Sequence, residues 1–163
     1  MTLDPVLTAS PAIQIHIALA SIALFLGPVA LWRRRRDLVH RVVGYVWVLS
    51  LAGAAVGSLA IPSHFTPIGL GPIHLLSVYA LWGLVVAMSA IWRGDVKTHR
   101  LTMQGIYVRG VALAGAFNFQ PGRTMQQALI PGAEPVGYAI IAAVLVWAFL
   151  PLLRTGGDSG RVA

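Results

Sequence analysis

Residues 11–36 read PAIQIHIALASIALFLGPVALWRRRR, an apolar run that ends in consecutive arginines. At about 1.5 Å per residue, a helix from Pro11 to Trp32 is ~33 Å long, which is enough to cross a bilayer. A cleavable signal peptide carries its positive charges before its apolar stretch, whereas the only charged side chain before this run is Asp4. We therefore expect this segment to stay in the protein as a transmembrane helix.

Further apolar runs occupy about residues 40–61, 73–92, 101–119 and 135–153, and each is long enough to span. Of the 163 residues, 57% are hydrophobic and 10% are charged, and the mean hydropathy is +0.76. These values predict an all-α, polytopic transmembrane bundle of five helices that forms one integral membrane domain, residues 1–163. The net charge of +7 does not indicate a nucleic-acid binder, because the basic residues flank apolar runs.

The distribution of lysine and arginine predicts the orientation in the membrane. Arg123 lies on one side and Arg109 lies inside a span, while the other basic residues share the opposite side. The positive-inside rule makes that richer side cytoplasmic, so the N-terminus is predicted outside and the C-terminus inside. The residues on the cytoplasmic side are Arg33, Arg34, Arg35, Arg36, Arg41, Arg93, Lys97, Arg100, Arg154 and Arg161.

Histidines are the most informative polar residues. The chain has no cysteine, so any metal or cofactor ligand must be histidine, methionine or oxygen. His16 and His74 fall near the outer ends of the first and third spans, at similar depth by helix rise, whereas His40 and His99 begin the second and fourth spans on the cytoplasmic side. Two histidines on facing helices are a usual arrangement of axial ligands for a b-type haem. The pattern predicts two such pairs.

The helix faces next to these histidines are consistent with a flat macrocycle. Gly44, Trp47 and Leu51 follow His40 on its face, and Met103 and Gly110 follow His99. Small residues one turn from a ligand would leave space for haem. The resulting hypothesis is an electron-transfer protein or small redox subunit with haem b as its cofactor.

Other interpretations of the histidines remain open. Histidines at helix ends also act as boundary residues that hydrogen-bond loop carbonyls or lipid head groups. A third possibility is a zinc or copper site open to the outside, formed by His16, His64 and His74, although the carboxylates that usually orient such ligands are scarce.

Arg109 is the second candidate for a functional role. It lies about 15 Å along the fourth span from His99, near the bilayer midplane, where an arginine is costly. We expect it to face the interior and to contact a cofactor, a substrate anion, backbone carbonyls, water or an acidic residue of another subunit. Its partner is not an intramembrane carboxylate of this chain, because the acidic residues all lie outside the predicted spans: Asp4, Asp37, Asp95, Glu134 and Asp158.

Three spaced motifs carry a family resemblance. They are HRVVGYVW at 40–47, IHLLS at 73–77, and HRLTM at 99–103, which continues through Tyr107 to PGR at 121–123. Together they resemble a bacterial family of predicted membrane proteins catalogued as a domain of unknown function. The resemblance covers about residues 16–127 and implies a compact helical bundle in a bacterial inner (plasma) membrane, with no assigned activity. The family often has a basic residue near position 104, where this chain has Gln104, so an anion contact shared with the family is not implied there. The fifth span is expected to lie beyond the resemblance.

Two alternatives to the haem protein follow from the same residues. One is a cofactor-free accessory or assembly subunit of a larger membrane complex, with Arg109 and the small residues of the second span as contacts. The other is a binding protein for a quinone or similar small amphiphile, with Arg109 as a ligand-binding residue. No arrangement of serine, histidine and carboxylate indicates a hydrolase. Whether the protein is an enzyme stays undecided at this level.

Overall fold

Helices account for most of the chain that the computed structural model describes, which is residues 3–33, 35–62, 67, 69 and 71–155. A π-helical segment, Tyr107–Val111, joins two of these helices without a break. The helices are α1 (Asp4–Leu7), α2 (Pro11–Trp32), α3 (Leu38–Leu59), α4 (Pro72–Trp92), α5 (Val96–Ile106), α6 (Ala112–Phe117), α7 (Thr124–Leu129) and α8 (Glu134–Thr155). The all-α prediction is confirmed.

The observed helix bounds follow the predicted spans closely, with one exception. The fourth predicted span, residues 101–119, begins earlier, at Val96, and contains the π segment. It begins there because the Asp95 carboxylate accepts a hydrogen bond of 2.9 Å from the Thr98 backbone N–H, which caps α5. Hydrogen bonds from Thr98 also lower the pKa of Asp95 below its usual value. The apolar pattern does not predict this start, because the first turn of α5 is polar.

Three helical stretches are long and apolar enough to cross a membrane: Pro11–Trp32, Leu38–Leu59 and Ile73–Trp92. A shorter apolar stretch covers Glu134–Leu150. Many large apolar side chains point outward, including Phe25, Leu75 and Trp82, as expected where lipid is the solvent. Length, composition and exposed apolar surface together define a membrane protein.

The helices pack in chain order, since α2 contacts α3, α3 contacts α4, and α4 contacts α5. The bundle closes because α2 also contacts α5, the π segment and α6. Trp47 and Ile106 are the largest fully buried side chains. Buried alanines on α2, α3 and α4 surround them and let the backbones approach closely. The small residues Ser50, Ala54 and Ser58 of α3 are likewise buried inside the bundle.

The junction between α2 and the π segment depends on Pro28. A proline inside a helix has no N–H, so the carbonyl four residues earlier, that of Leu24, loses its helical partner. The Tyr107 hydroxyl, from the first residue of the π segment, donates a hydrogen bond of 3.0 Å to this carbonyl. In an apolar medium an unpaired carbonyl is costly, so the bond stabilises the contact between these two elements.

Two neighbours complete this junction. The Trp47 indole N–H donates a hydrogen bond of 2.8 Å to the carbonyl of Ala23, which joins α3 to the same turn of α2. Gly27 presents no side chain, and the Tyr107 ring occupies the space that a Cβ atom would need. Trp32 packs edge-on against the Tyr107 ring, with the ring centroids 5.6 Å apart. The junction is therefore both hydrogen-bonded and tightly packed.

We expect Gly27→Ala to destabilise the protein, because the added methyl group would overlap a ring that its hydrogen bond and Trp32 hold in place. Overpacking of this kind costs about 1–3 kcal/mol. The measurement is the free energy of unfolding in detergent. Gly57→Ala is the matched control, because no heavy atom lies within 4 Å of its added Cβ. Equal stability of the two variants would contradict this account of the junction.

Candidate functional site

A cavity of about 370 Å³ lies between α2, α3, α4, α6 and α7, at the end of the bundle that the sequence predicts to be outside. Most of its wall is apolar. Its polar residues are His16 and Ser21 of α2, Ser58 of α3, Ser77 of α4, and a group after α6 and at the start of α7, namely Asn118, Gln120, Arg123 and Thr124. No acidic residue is among the described residues that line it. We call this space the outer cavity.

His16 is held in one orientation at the wall of the outer cavity. Its Nδ1 lies 2.9 Å from the carbonyl oxygen of Ala54 on α3. Because a carbonyl can only accept, Nδ1 carries the hydrogen and donates, and the neutral ring presents Nε2 as an acceptor. Metal-binding and ligand-binding histidines are commonly oriented by such a bond to a carbonyl. Nε2 is therefore the ring nitrogen left to bind a ligand.

Amides and a guanidinium occupy the outer end of the cavity. The Asn118 amide donates a hydrogen bond of 3.1 Å to the carbonyl of Ala114, which fixes the side chain directly after the last residue of α6. Gln120 and Arg123 follow it in the loop before α7. Sequence reasoning did not select Asn118 or Gln120. Polar residues just after an apolar run could have indicated a binding site, but polar residues are equally typical of any loop.

His74 has a structural contact of its own. It is 5% exposed, and its Nδ1 accepts a hydrogen bond of 3.0 Å from the Gly71 backbone N–H at the start of α4. This bond satisfies one of the free N–H groups at the helix N-terminus. His74 is not among the described residues that line the outer cavity, although Ile73 and Ser77 of the same helix are. The structure thus places His16 at the cavity and His74 at a helix cap.

At the opposite end of the bundle, His40 and His99 lie close enough to interact electrostatically. The His99 Nδ1 lies 2.9 Å from the carbonyl oxygen of Ala87 on α4, so it donates as His16 does and leaves Nε2 as the acceptor. The His40 Nε2 accepts a hydrogen bond of 3.2 Å from the Arg36 guanidinium. The buried His40 Nδ1 interacts with the carbonyl of Ala30, but makes no hydrogen bond of normal geometry with any described residue.

An ion pair fixes the loop before His40. The Arg33 guanidinium donates hydrogen bonds of 3.1 Å and 2.6 Å to the Asp37 carboxylate, which also accepts one of 3.0 Å from the His40 backbone N–H. These bonds, first of all those from Arg33, lower the pKa of Asp37 to about 2. Asp37 is therefore ionised at physiological pH and caps α3.

The helix faces next to His40 and His99 are packed. Trp47 and Leu51 of α3 belong to the same buried cluster as Met103 and Ile106 of α5. Space remains over Gly44, where no heavy atom lies within 4 Å of an added Cβ. The positions expected to flank a haem therefore contribute mainly to the core of the bundle.

Arg109 lies in the π segment and is partly buried. It lines a groove between α4 and α5 rather than the outer cavity. The groove includes Trp82, which is 69% exposed, and Leu101, which is 52% exposed, so it lies on the outside of the bundle. The structure therefore places Arg109, half-buried, beside a groove between α4 and α5 and not at the cavity that contains His16. Helix rise predicts how far a residue lies along a helix, whereas the direction of its side chain depends on the register of the helix.

No group of three or more histidine, cysteine or acidic residues that could bind a metal ion occurs within the described part of the chain. The alternative zinc or copper site of His16, His64 and His74 includes a residue outside it, because His64 is not described.

The fold and the apolar outer surface thus define an all-helical integral membrane protein. A family model described as "Predicted membrane protein (DUF2306)" matches residues 13–147, and the chain belongs to this family. The match extends well into α8, so the expectation that the fifth helix lies beyond the family is wrong. No curated protein and no solved structure is significantly similar to the chain.

Proposed function

We propose that the protein binds a small amphiphile of the quinone class in the outer cavity. The observation that carries this proposal is the orientation of His16, whose Nδ1 is engaged by the Ala54 carbonyl while Nε2 stays available as an acceptor. A quinol hydroxyl is a suitable donor to such a nitrogen. His16 is then a residue that binds the ligand, and no redox step is assigned to it.

The rest of the cavity suits the same ligand class. Its volume of about 370 Å³ accommodates a small ring system, and its apolar wall suits a ring and the start of an isoprenoid tail. Asn118, Gln120 and Arg123 supply donors for carbonyl oxygens at the outer end. A cationic ligand is disfavoured, because no acidic side chain is among the described residues of the wall.

We expect His16→Asn to weaken binding of decylubiquinol, the probe, by about three- to tenfold, which corresponds to the loss of one hydrogen bond. Asparagine can still donate to the Ala54 carbonyl in place of Nδ1, but it has no counterpart of Nε2. The measurement is the dissociation constant from calorimetric titration of the detergent-solubilised protein.

His99→Asn is the matched control, because the His99 Nδ1 makes the same kind of bond to the Ala87 carbonyl and His99 does not line the cavity. The control should bind the probe as the unaltered protein does. An unchanged dissociation constant for His16→Asn, or an equal loss in both variants, would refute the assignment of Nε2.

A second candidate function is the binding of b-type haem by His16, His74, His40 and His99. Two observations support it: His16 and His99 both use Nδ1 to donate to a carbonyl, as metal-binding histidines commonly do, and His40 lies near His99. Axial ligation by His40 through Nε2 requires that Arg36 give up its hydrogen bond to that nitrogen, and ligation by His74 through Nε2 requires that Nδ1 give up its bond from the Gly71 N–H, because the neutral ring carries its hydrogen on Nε2 while that bond is made.

Under the haem proposal, protein expressed with added haem should show a Soret band, and sharp α and β bands after dithionite reduction. His99→Ala should then lower the haem content per folded molecule, because His99 supplies an axial nitrogen. The measurement is the visible absorption spectrum of the purified protein. A correctly folded, colourless preparation would exclude this function.

We further propose that the chain crosses a bacterial inner membrane five times, with the N-terminus outside and the C-terminus in the cytoplasm. The continuous helical residues 96–117 and helix α8 supply the fourth and fifth spans in this proposal. The distribution of lysine and arginine supports the orientation.

Because the chain lacks cysteine, single introduced cysteines report the topology directly. In intact cells, a membrane-impermeant maleimide should label Glu134→Cys and should not label Lys97→Cys, since both positions are exposed and are proposed to lie on opposite sides. A reporter fused after Gly156 should be active in the cytoplasm. The reverse labelling pattern, or an external reporter, would exclude the five-span orientation.

A further inference from the structure

Two buried hydroxyl groups lie on the wall of the outer cavity, where α3 and α4 pack against each other. Ser58 of α3 is 5% exposed and Ser77 of α4 is 7% exposed, and both line the cavity. Their hydroxyl groups are hydrogen-bonded to each other, and we call them the serine pair. Ser58 lies one helical turn from Ala54, whose carbonyl binds His16, so the serine pair and His16 belong to the same part of the wall.

The serine pair has fewer hydrogens than hydrogen-bond acceptors. In addition to their mutual bond, Ser58 can donate to the carbonyl of Ala55 and Ser77 to that of Ile73, each at 3.0 Å. Two hydroxyl groups carry only two hydrogens, so two of these three bonds exist at a time. In every arrangement both hydrogens are used within the protein. Only oxygen lone pairs, which are acceptors, then remain for a ligand.

His16 presents the same chemistry to the cavity. Its Nδ1 hydrogen is used by the Ala54 carbonyl, and its Nε2 is an acceptor. Ser21 of the same helix lies about 7.5 Å further along α2. The amide and guanidinium donors of the cavity lie after α6. His16 and the serine pair therefore form a group of acceptors that is separate from these donors, and this group calls for a hydrogen on the ligand.

We propose that the outer cavity binds the reduced, hydroquinone form of its ligand at least about tenfold more tightly than the oxidised quinone form. The preference rests on the function proposed above, because it concerns the ligand class assigned to the same cavity. A hydroquinone can donate one hydroxyl hydrogen to the acceptor group, while its other oxygen accepts from the donors after α6. A quinone has no such hydrogen, so one carbonyl would face acceptors in an apolar cavity without a partner, which is costly.

The two redox forms are a matched pair of ligands. They differ by two hydrogen atoms and carry the same ring substituents and tail, so their apolar contacts with the wall are nearly equal. Specificity is a difference between two affinities, and here that difference reports hydrogen bonding. The occupancy of the cavity would consequently rise as the pool of such ligands in the membrane becomes more reduced.

The test is a pair of calorimetric titrations of the detergent-solubilised protein under argon, one with decylubiquinol and one with decylubiquinone. The dissociation constant of the quinone should be at least about tenfold larger than that of the quinol. Equal affinity for the two forms, or tighter binding of the quinone, would overturn the preference and leave the proposed binding function standing. Binding of neither form would overturn both.

The double variant Ser58→Ala, Ser77→Ala tests the source of the preference. Replacing both serines leaves neither buried hydroxyl without its partner, so the variant is expected to fold. It should lower the ratio of the two dissociation constants by about three- to tenfold, because it weakens binding of the quinol and leaves that of the quinone nearly unchanged. A general packing defect would instead weaken both forms alike.

Ser50→Ala is the matched control. Ser50 is also a buried serine of α3, 5% exposed, but it is not among the described residues that line the cavity. This variant should keep the full ratio. An unchanged ratio in the double variant, or an equal loss of the ratio in the control, would overturn the assignment of the preference to the serine pair.

Discussion

The Leu24 carbonyl is the constraint on which much of this bundle depends. Pro28 removes the N–H that would have paired with this carbonyl, and lipid offers no replacement donor. The Tyr107 hydroxyl supplies one and joins α2 to the π segment. A π turn shifts the following helix by about one residue, or ~100° of rotation, so this junction also influences which way α6 and Arg109 face. The missing N–H of Pro28 in α2 is thus linked, through Tyr107, to the register of α6.

Side-chain N–H groups that donate to helix carbonyls are a recurring feature of the structure. Trp47 binds the Ala23 carbonyl, His16 that of Ala54, and His99 that of Ala87, and each bond joins two helices. For the histidines, the structural and ligand-binding interpretations are compatible. Nδ1 holds the helices together, and the same bond fixes Nε2 as the nitrogen that can accept from, or coordinate to, a ligand.

The two polar openings of the bundle differ in chemistry. The outer cavity combines an acceptor nitrogen with amides and a guanidinium at its outer end, which suits an uncharged amphiphile with both hydroxyl and carbonyl groups. The groove between α4 and α5 holds one charged residue, Arg109, which suits an anion. His16 lines the cavity and Arg109 lines the groove, so substitutions at the two residues test the two openings separately.

The sequence by itself determined the helical class, the three helices long and apolar enough to cross a membrane, and the family, because apolar run length and motif spacing are local properties. It also located His16 near the start of α2. Only the tertiary structure decided what these residues contact. Asn118 and Gln120 reach the cavity, His74 caps its own helix, and Arg109 faces a surface groove. These outcomes depend on the π segment and on packing between helices, which no periodicity in the sequence reveals.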